Sequence, residues 1–245
     1  MARRAKTPGP DITSIKLQDA LAKEGCPICR LAGEVARRFL WGYLYERIND
    51  PPSRQELLAS RGFCLRHAWA LRPLHDAFGV AILYRHLLQE LADDIRRTSK
   101  SPTLRRRRGP SPASNLRTAL RPKRECPACA HVKTMEDGAL HALVARLEVS
   151  EVFDRISGPS GLCLPHFLAG LTVAGRPAAD KLIQAELTVL AQVGRDLDEF
   201  IRKHDYRFNK EGLTEDEGRS WTRAIELLVG GDPLEDRGPS GPWAR

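Results

Sequence analysis

All six cysteines of this 245-residue chain fall into a pattern that occurs twice. Cys26-Pro27-Ile28-Cys29 is followed by Gly62-Phe63-Cys64-Leu65-Arg66-His67, and the order returns as Cys126-Pro127-Ala128-Cys129 and then Gly161-Leu162-Cys163-Leu164-Pro165-His166. The first Cys precedes the third by 38 residues in one copy and 37 in the other, so the chain is duplicated. Residues three apart on a helix share a side. A Cys pair on one helix and a Cys/His pair on a second can therefore close a tetrahedron of three thiolates and one imidazole, a donor set of structural zinc. The single net negative charge of such a site is stabilised by free N–H groups at helix N-termini. Cys26, Cys29, Cys64, His67, Cys126, Cys129, Cys163 and His166 are thus candidate ligands for two Zn2+ ions.

Other chemistry uses the same residue types. Three Cys and one His per copy would also serve an iron-sulfur cluster. A CPxC pair on a helix start resembles the dithiol of thioredoxin-like proteins, but those need a βαβ setting that this sequence lacks. Attachment of a c-type haem needs His directly after the second Cys, where Arg30 and Ala130 stand. The simplest alternative, Cys and His packing a core without metal, does not explain why their order repeats. The duplication predicts one ion per copy, bound by that copy's own residues. The repeats could instead interlock, with Cys26 and Cys29 meeting Cys163 and His166.

The elements that must hold these residues read as helices throughout. Pro27 and Pro127 suit a first helical position, which puts Cys26 and Cys126 at N-caps of helices running toward Ile48 and Val149. Asn49-Asp50-Pro51-Pro52 stops the first of these, a short helix follows over Ser53 to Ser60, and Gly62 or Gly161 breaks the chain before the CxxH helix. Ile183, Leu187, Leu190, Leu197 and Ile201 lie on one face of a 3.6-residue period, as do Val80, Tyr84, Leu87, Leu91 and Ile95. Trp41, Tyr43, Tyr45, Phe63 and Trp69 fit core positions of the first copy. The fold class is all-α: two tandem helical units with three Cys and one His each, joined by a basic linker and followed by a C-terminal helical extension. The expected divisions are an N-terminal segment over 1–11, a first repeat over 12–98, a linker over 99–124, a second repeat over 125–208, a helix over 209–230 and a loose tail over 231–245.

With 42% hydrophobic and 29% charged residues the composition is that of a globular protein rather than a disordered or membrane-embedded one. No apolar stretch reaches the ~18 residues that a spanning helix needs. Residues 1–10 lead into an amphipathic segment rather than an apolar signal sequence, so a cytoplasmic protein is expected. The formal charge of +8 is local: eleven Lys or Arg and no acid lie between Arg96 and Arg124. Most of the basic residues are Arg, a bias that a GC-rich genome produces by itself. Arg105, Arg106, Arg107 and Arg108 could contact nucleic-acid phosphates, or the segment is a solvated linker.

After the second repeat comes Lys203-His204-Asp205-Tyr206-Arg207-Phe208, then a helix with Trp221. Packing through Tyr206, Phe208, Trp221 and Ile225 would explain this extension. His204, Asp205, Tyr206 and Arg207 could alternatively form a ligand or partner site. With its two CPxC…G[FL]CxxH units and this segment, the chain resembles an uncharacterised family of bacterial proteins over about Lys23 to Gly230. The resemblance implies a bacterial source and the same Cys and His pairing, and no activity. With all four positions of each site filled by protein, and no paired carboxylates, Ser-His-Asp order or phosphate loop, the metal is expected to be structural, presenting a surface to a protein partner. Redox or iron-sulfur chemistry, or a metalloenzyme in which a ligand exchanges for substrate, are the alternatives.

Overall fold

A computed structural model describes residues 12–99 and 112–231. Among these the chain is helical without strands: α1 (Ile12–Leu21), α2 (Pro27–Gly42) with a π turn over Tyr43–Arg47, α3 (Pro51–Ala59), α4 (Leu65–Trp69), α5 (Ala77–Ser99), α6 (Pro112–Leu120), α7 (Pro127–Val144), α8 (Ser150–Ile156), α9 (Leu164–Val173), α10 (Arg176–Lys203) and α11 (Glu215–Val229). Arg105 to Arg108, residues 1–11 and all of the tail after Gly231 lie outside the described residues.

Two compact units are present, and they do not follow the repeats. The first holds the described residues up to Glu34 and those from Thr134 onward, the second those from Val35 to Lys133. The boundaries fall inside α2 and α7, so each unit takes its CPxC turn from one copy and its CxxH turn from the other. In the first unit, Leu17, Leu21, Ile28 and Leu31 pack against Leu140, Leu143, Leu147, Ile156, Leu162 and Leu182. In the second, Leu40, Tyr43, Leu57, Phe63, Leu71 and Leu83 form the core. Tyr43 meets Phe63 edge-on at 5.2 Å and donates from its hydroxyl to the Ser53 carbonyl at 2.7 Å. This phenol is buried without an unpaired polar atom, the condition under which Tyr belongs in a core.

Local chemistry sets the element ends. Asp50 caps α3 by accepting from the Ser53 N–H at 3.0 Å and the Ser53 hydroxyl at 2.6 Å, while Pro51 and Pro52 occupy the first turn, where no N–H is needed. The Pro pair thus starts a helix as well as stopping one. Thr214 and Glu217 make a reciprocal capping box at the start of α11.

Four sequence expectations are corrected. The stretch read as a linker contains α6, where Pro112 suits the first turn and Leu116 and Leu120 share a face. The Ala119 carbonyl there accepts from Arg61 Nη2 at 2.6 Å. Next, the apolar stripe that reveals α10 is not the one it buries. Leu187 and Ile201 are 62% and 66% exposed, and the neighbouring stripe of Leu182, Ala185, Val189 and Val193 faces inward. The smaller of these, Ala185, Val189 and Val193, let α10 approach closely: a Cβ on Gly161 would stand 2.8 Å from Val189 Cγ1. Among the aromatics, Tyr43 and Phe63 are buried, but Tyr45 and Trp69 are exposed, and Tyr45 stacks on Trp41 at 5.0 Å. Finally, of the four residues expected to pack the C-terminal extension, Phe208 is half-buried but Tyr206, Trp221 and Ile225 are exposed; α11 docks through Glu217, Ser220, the half-buried Ala224 and Leu227, and charged contacts.

Candidate metal centres

The eight ligand candidates gather into two groups of four, Cys26, Cys29, Cys163 and His166 in one unit and Cys64, His67, Cys126 and Cys129 in the other. In each group one donor atom per residue lies within 4.8 Å of all the others. The expectation that each copy closes its own site is thereby corrected, and the interlocked arrangement is the one found. α2 runs 16 residues, about 24 Å, out of the first unit into the second, so the chain that follows it, with Cys64 and His67, folds beside Cys126 and Cys129.

Backbone ties set the cross-copy register. In the first unit the Gly25 N–H donates to the Pro159 carbonyl at 2.8 Å, and the Ser160 hydroxyl sits 2.8 Å from the carbonyls of both Leu21 and Lys23. In the second the Lys123 N–H donates to the Ala59 carbonyl at 2.7 Å. The segment entering each CPxC turn is thus bound to the chain just before the other copy's CxxH turn.

All four motif starts are helix caps. The carbonyls of Cys26, Cys64, Cys126 and Cys163 accept the first helical bond, from Arg30, Ala68, Ala130 and Phe167, at 2.8 to 3.2 Å. Each sulfur pair therefore sits where helix N–H groups and the positive end of the dipole favour thiolate charge.

In the first centre the His166 Nδ1 lies 3.5 Å from Cys26 Sγ, 3.3 Å from Cys29 Sγ and 3.1 Å from Cys163 Sγ, with Cys29 and Cys163 sulfurs 3.5 Å apart. In the second the His67 Nδ1 is 3.3 Å from Cys64 Sγ, 3.6 Å from Cys126 Sγ and 3.4 Å from Cys129 Sγ, with Cys64 and Cys129 sulfurs 3.6 Å apart. A zinc ion at ~2.3 Å from sulfur and ~2.0 Å from nitrogen puts tetrahedral edges at about 3.5 to 3.8 Å. The donor set suits such an ion, and the four spacings given for each centre match those edges within about 0.4 Å. In both centres the same ring nitrogen, Nδ1, faces the sulfurs. Cys163, Cys126 and His67 are buried, and the other ligands are mostly covered.

Burial pushes the Cys26 thiol well above its ordinary value and the Cys129 thiol up to about 12. Cys29 goes the other way: hydrogen bonds from Cys163 and Cys26, and then from His166, hold it far below the usual thiol range. Burial opposes protonation of His166, but its hydrogen bonds with Cys163, Cys29 and Glu136 outweigh this and push it up to about 11. A cation that takes all four donors must displace those protons, so binding releases them.

Two neighbours of the first centre escaped sequence reasoning. Glu136 Oε1 stands 3.4 Å from His166 Nε2. At the end of α11, a Cβ on Gly230 would stand 3.2 Å from Cys29 Sγ and 3.7 Å from Cys163 Sγ. No spacing rule points to Glu136, whereas a Gly closing a helix was a readable stop signal.

His204, Asp205, Tyr206 and Arg207 form a turn at the C-terminal end of α10. His204 Nδ1 is 2.7 Å from the Phe200 carbonyl, and Asp205 accepts from Arg207 Nη2 at 2.7 Å, so the polar groups pair locally. Arg202 lies over the Phe208 ring at 4.9 Å.

The model of a family of unknown function, DUF6062, matches residues 10–235. The chain therefore belongs to that family. It is also similar to an uncharacterized 23.9 kDa protein in the xynA 3′ region of Caldicellulosiruptor sp. (strain Rt8B.4), with 24% identity over 210 residues that cover 85% of this chain and 96% of that one. No solved structure matches.

Proposed function

We propose that this member of the DUF6062 family binds two zinc ions, each between the CPxC turn of one copy and the CxxH turn of the other, and that the ions fix the helices for an interaction or regulatory role. The observation that carries this reading is the convergence of three sulfurs and one Nδ1 on a single point in both units. A single ion draws four donors together in this way, whereas a four-iron cluster spreads its ligands over separate irons. Four protein donors leave no open position for water or substrate, which favours a structural over a catalytic ion.

Zinc thiolates and six free cysteines suit a reducing compartment, and we place the protein in the cytoplasm. No helix among the described residues is long and apolar enough to cross a membrane. A protein partner, and nucleic acid reached through Arg105 to Arg108, are the interactions we propose to test.

Metal analysis with a visible spectrum of anaerobically purified protein tests the reading. Two zinc ions per chain and a colourless solution are expected. A brown protein with broad visible absorption would establish iron-sulfur instead. A dithiol instead needs an exposed, reactive thiol of low pKa; rapid alkylation of Cys26 or Cys126 in metal-loaded protein would favour it over zinc.

A further inference from the structure

The first centre lies against a helix that belongs to neither of its motifs. Three positions along one face of α11 meet the CPxC segment. Arg219 pairs with Glu24 at 2.8 Å. The Glu226 carboxylate stands 3.5 Å from where a side chain on Gly25 would begin. Gly230 then brings the backbone against the sulfurs of Cys29 and Cys163. Residues 219, 226 and 230 are spaced seven and four apart, so they share a helix face.

The inward side of α11 is mixed: Ala224 and Leu227, both half-buried, continue the side of Glu217 and Ser220. Glu217 and Ser220 are its buried residues, while Trp221, Ile225 and Leu228, spaced four and three apart, are exposed. Two ion pairs anchor it to α10, Lys203 with Glu217 at 2.7 Å and Arg223 with Asp196 at 3.6 Å. The chain leaves the helix at Gly230 with φ +91° and ψ 167°, a conformation essentially confined to glycine. Gly230 is thus required twice, for its backbone angle and because a Cβ would press on Cys29.

We infer that α11 is a metal-dependent latch: the ion at Cys26, Cys29, Cys163 and His166 holds the surface on which α11 docks, and docked α11 in turn retains the ion. The inference rests on the metal-binding reading above. An ion that fixes the Cys29 and Cys163 sulfurs presents a rigid seat to Gly230 and orders the turn carrying Glu24 and Gly25. Loss of the ion removes that seat and leaves on α11 the Lys203–Glu217 and Arg223–Asp196 pairs with α10 and the half-buried Ala224 and Leu227. Coupling between two binding events is reciprocal, so displacing α11 must weaken this ion by the factor by which the ion strengthens docking. The other centre has no share in the contacts described and responds to neither change.

The test uses the full chain loaded with zinc, amide hydrogen exchange over residues 215–229, and zinc release to a competing chelator. Cys29→Ser should strip protection from α11 while leaving α10 protected; Cys64→Ser should leave α11 as in the unaltered chain. Gly230→Val should speed release of one ion about tenfold and leave the other unchanged, within the usual range of coupling between sites. If Cys29→Ser also exposes α10, the lesion has unfolded the unit, and Gly230→Val with Arg219→Glu decides from the α11 side. Unchanged α11 exchange in a folded Cys29→Ser chain, or two ions leaving Gly230→Val at ordinary rates, overturns the latch and leaves metal binding standing. An unaltered chain that takes up no zinc overturns both.

Discussion

Glu136 Oε1 stands 3.4 Å from Nε2 of His166, and the other nitrogen of that ring, Nδ1, faces the three sulfurs. A carboxylate accepting from Nε2–H fixes the tautomer whose lone pair is on Nδ1 and makes that nitrogen a better donor. Glu136→Ala should therefore weaken one of the two ions by about 10- to 100-fold, the usual cost of losing an outer partner of a ligating His. Glu136→Gln, which keeps an acceptor oxygen, should lie between. Competition with a zinc-binding dye reads both; equal affinity in Glu136→Ala would show that the carboxylate does not act on the site.

Cross-copy pairing makes a prediction about combinations. Cys26→Ser with Cys29→Ser should remove one ion. Adding Cys163→Ser should then remove nothing more, because the lost site is the same, whereas adding Cys64→Ser should remove the second ion. Sites closed within each copy would give the opposite pattern. Zinc content per chain distinguishes the two without any structure.

The glycine before each CxxH turn is the same letter in both copies and does two different jobs. Gly62 has φ +98°, where Ala is strained by roughly 1 to 2 kcal/mol. Gly161 has no such angle; a Cβ there would run into Val189. Gly161→Ala should cost about 1 to 3 kcal/mol by overpacking, and Gly161→Ala with Val189→Ala should recover part of it. Gly62→Ala should find no rescue in its neighbours. Denaturant unfolding of the three variants measures this, and absence of rescue at Gly161 would mean that the crowding is relieved by backbone movement.

How much of this was legible follows from what kind of signal each feature leaves. The eight donors were readable because their types and spacing repeat; Pro27 and Pro127 marked the starts of α2 and α7, and helical periodicity located α5 and α10 because long amphipathic stripes are strong signals. The burial of α10 was not. Its large residues, Leu187 and Ile201, mark the period, but a close approach across Gly161 favours the smaller stripe of Ala185, Val189 and Val193. The pairing of motifs across copies follows from which unit each end of α2 and α7 lies in, which spacing in sequence does not show. α6 was hidden because nine residues in a Pro/Ser/Arg-rich stretch have only one apolar pair to betray them. Glu136 reaches its histidine from α7, far in sequence, and only folding brings the two together.

Glu186 tests the packing of α10 through pH. It is buried beside Leu182, Ala185 and Val189, and burial pushes its carboxyl up to about 7 from an ordinary 4.5. Between those values the folded chain binds a proton that the unfolded chain has lost, so stability falls as pH rises through this window. The contribution is fully present below about pH 4.5 and gone above about pH 7. A neutral isostere removes the dependence. Glu186→Gln should be more stable than the parent at pH 8, by at most about 3 kcal/mol at roughly 1.4 kcal/mol for each tenfold change in proton affinity, and should lose that advantage as pH falls toward 5. Denaturant unfolding of both chains at each pH gives the difference directly, since protonation of the metal ligands affects the two alike. A difference that does not change with pH would mean that Glu186 is hydrated in the folded chain, and that α10 packs less closely here than its neighbours indicate.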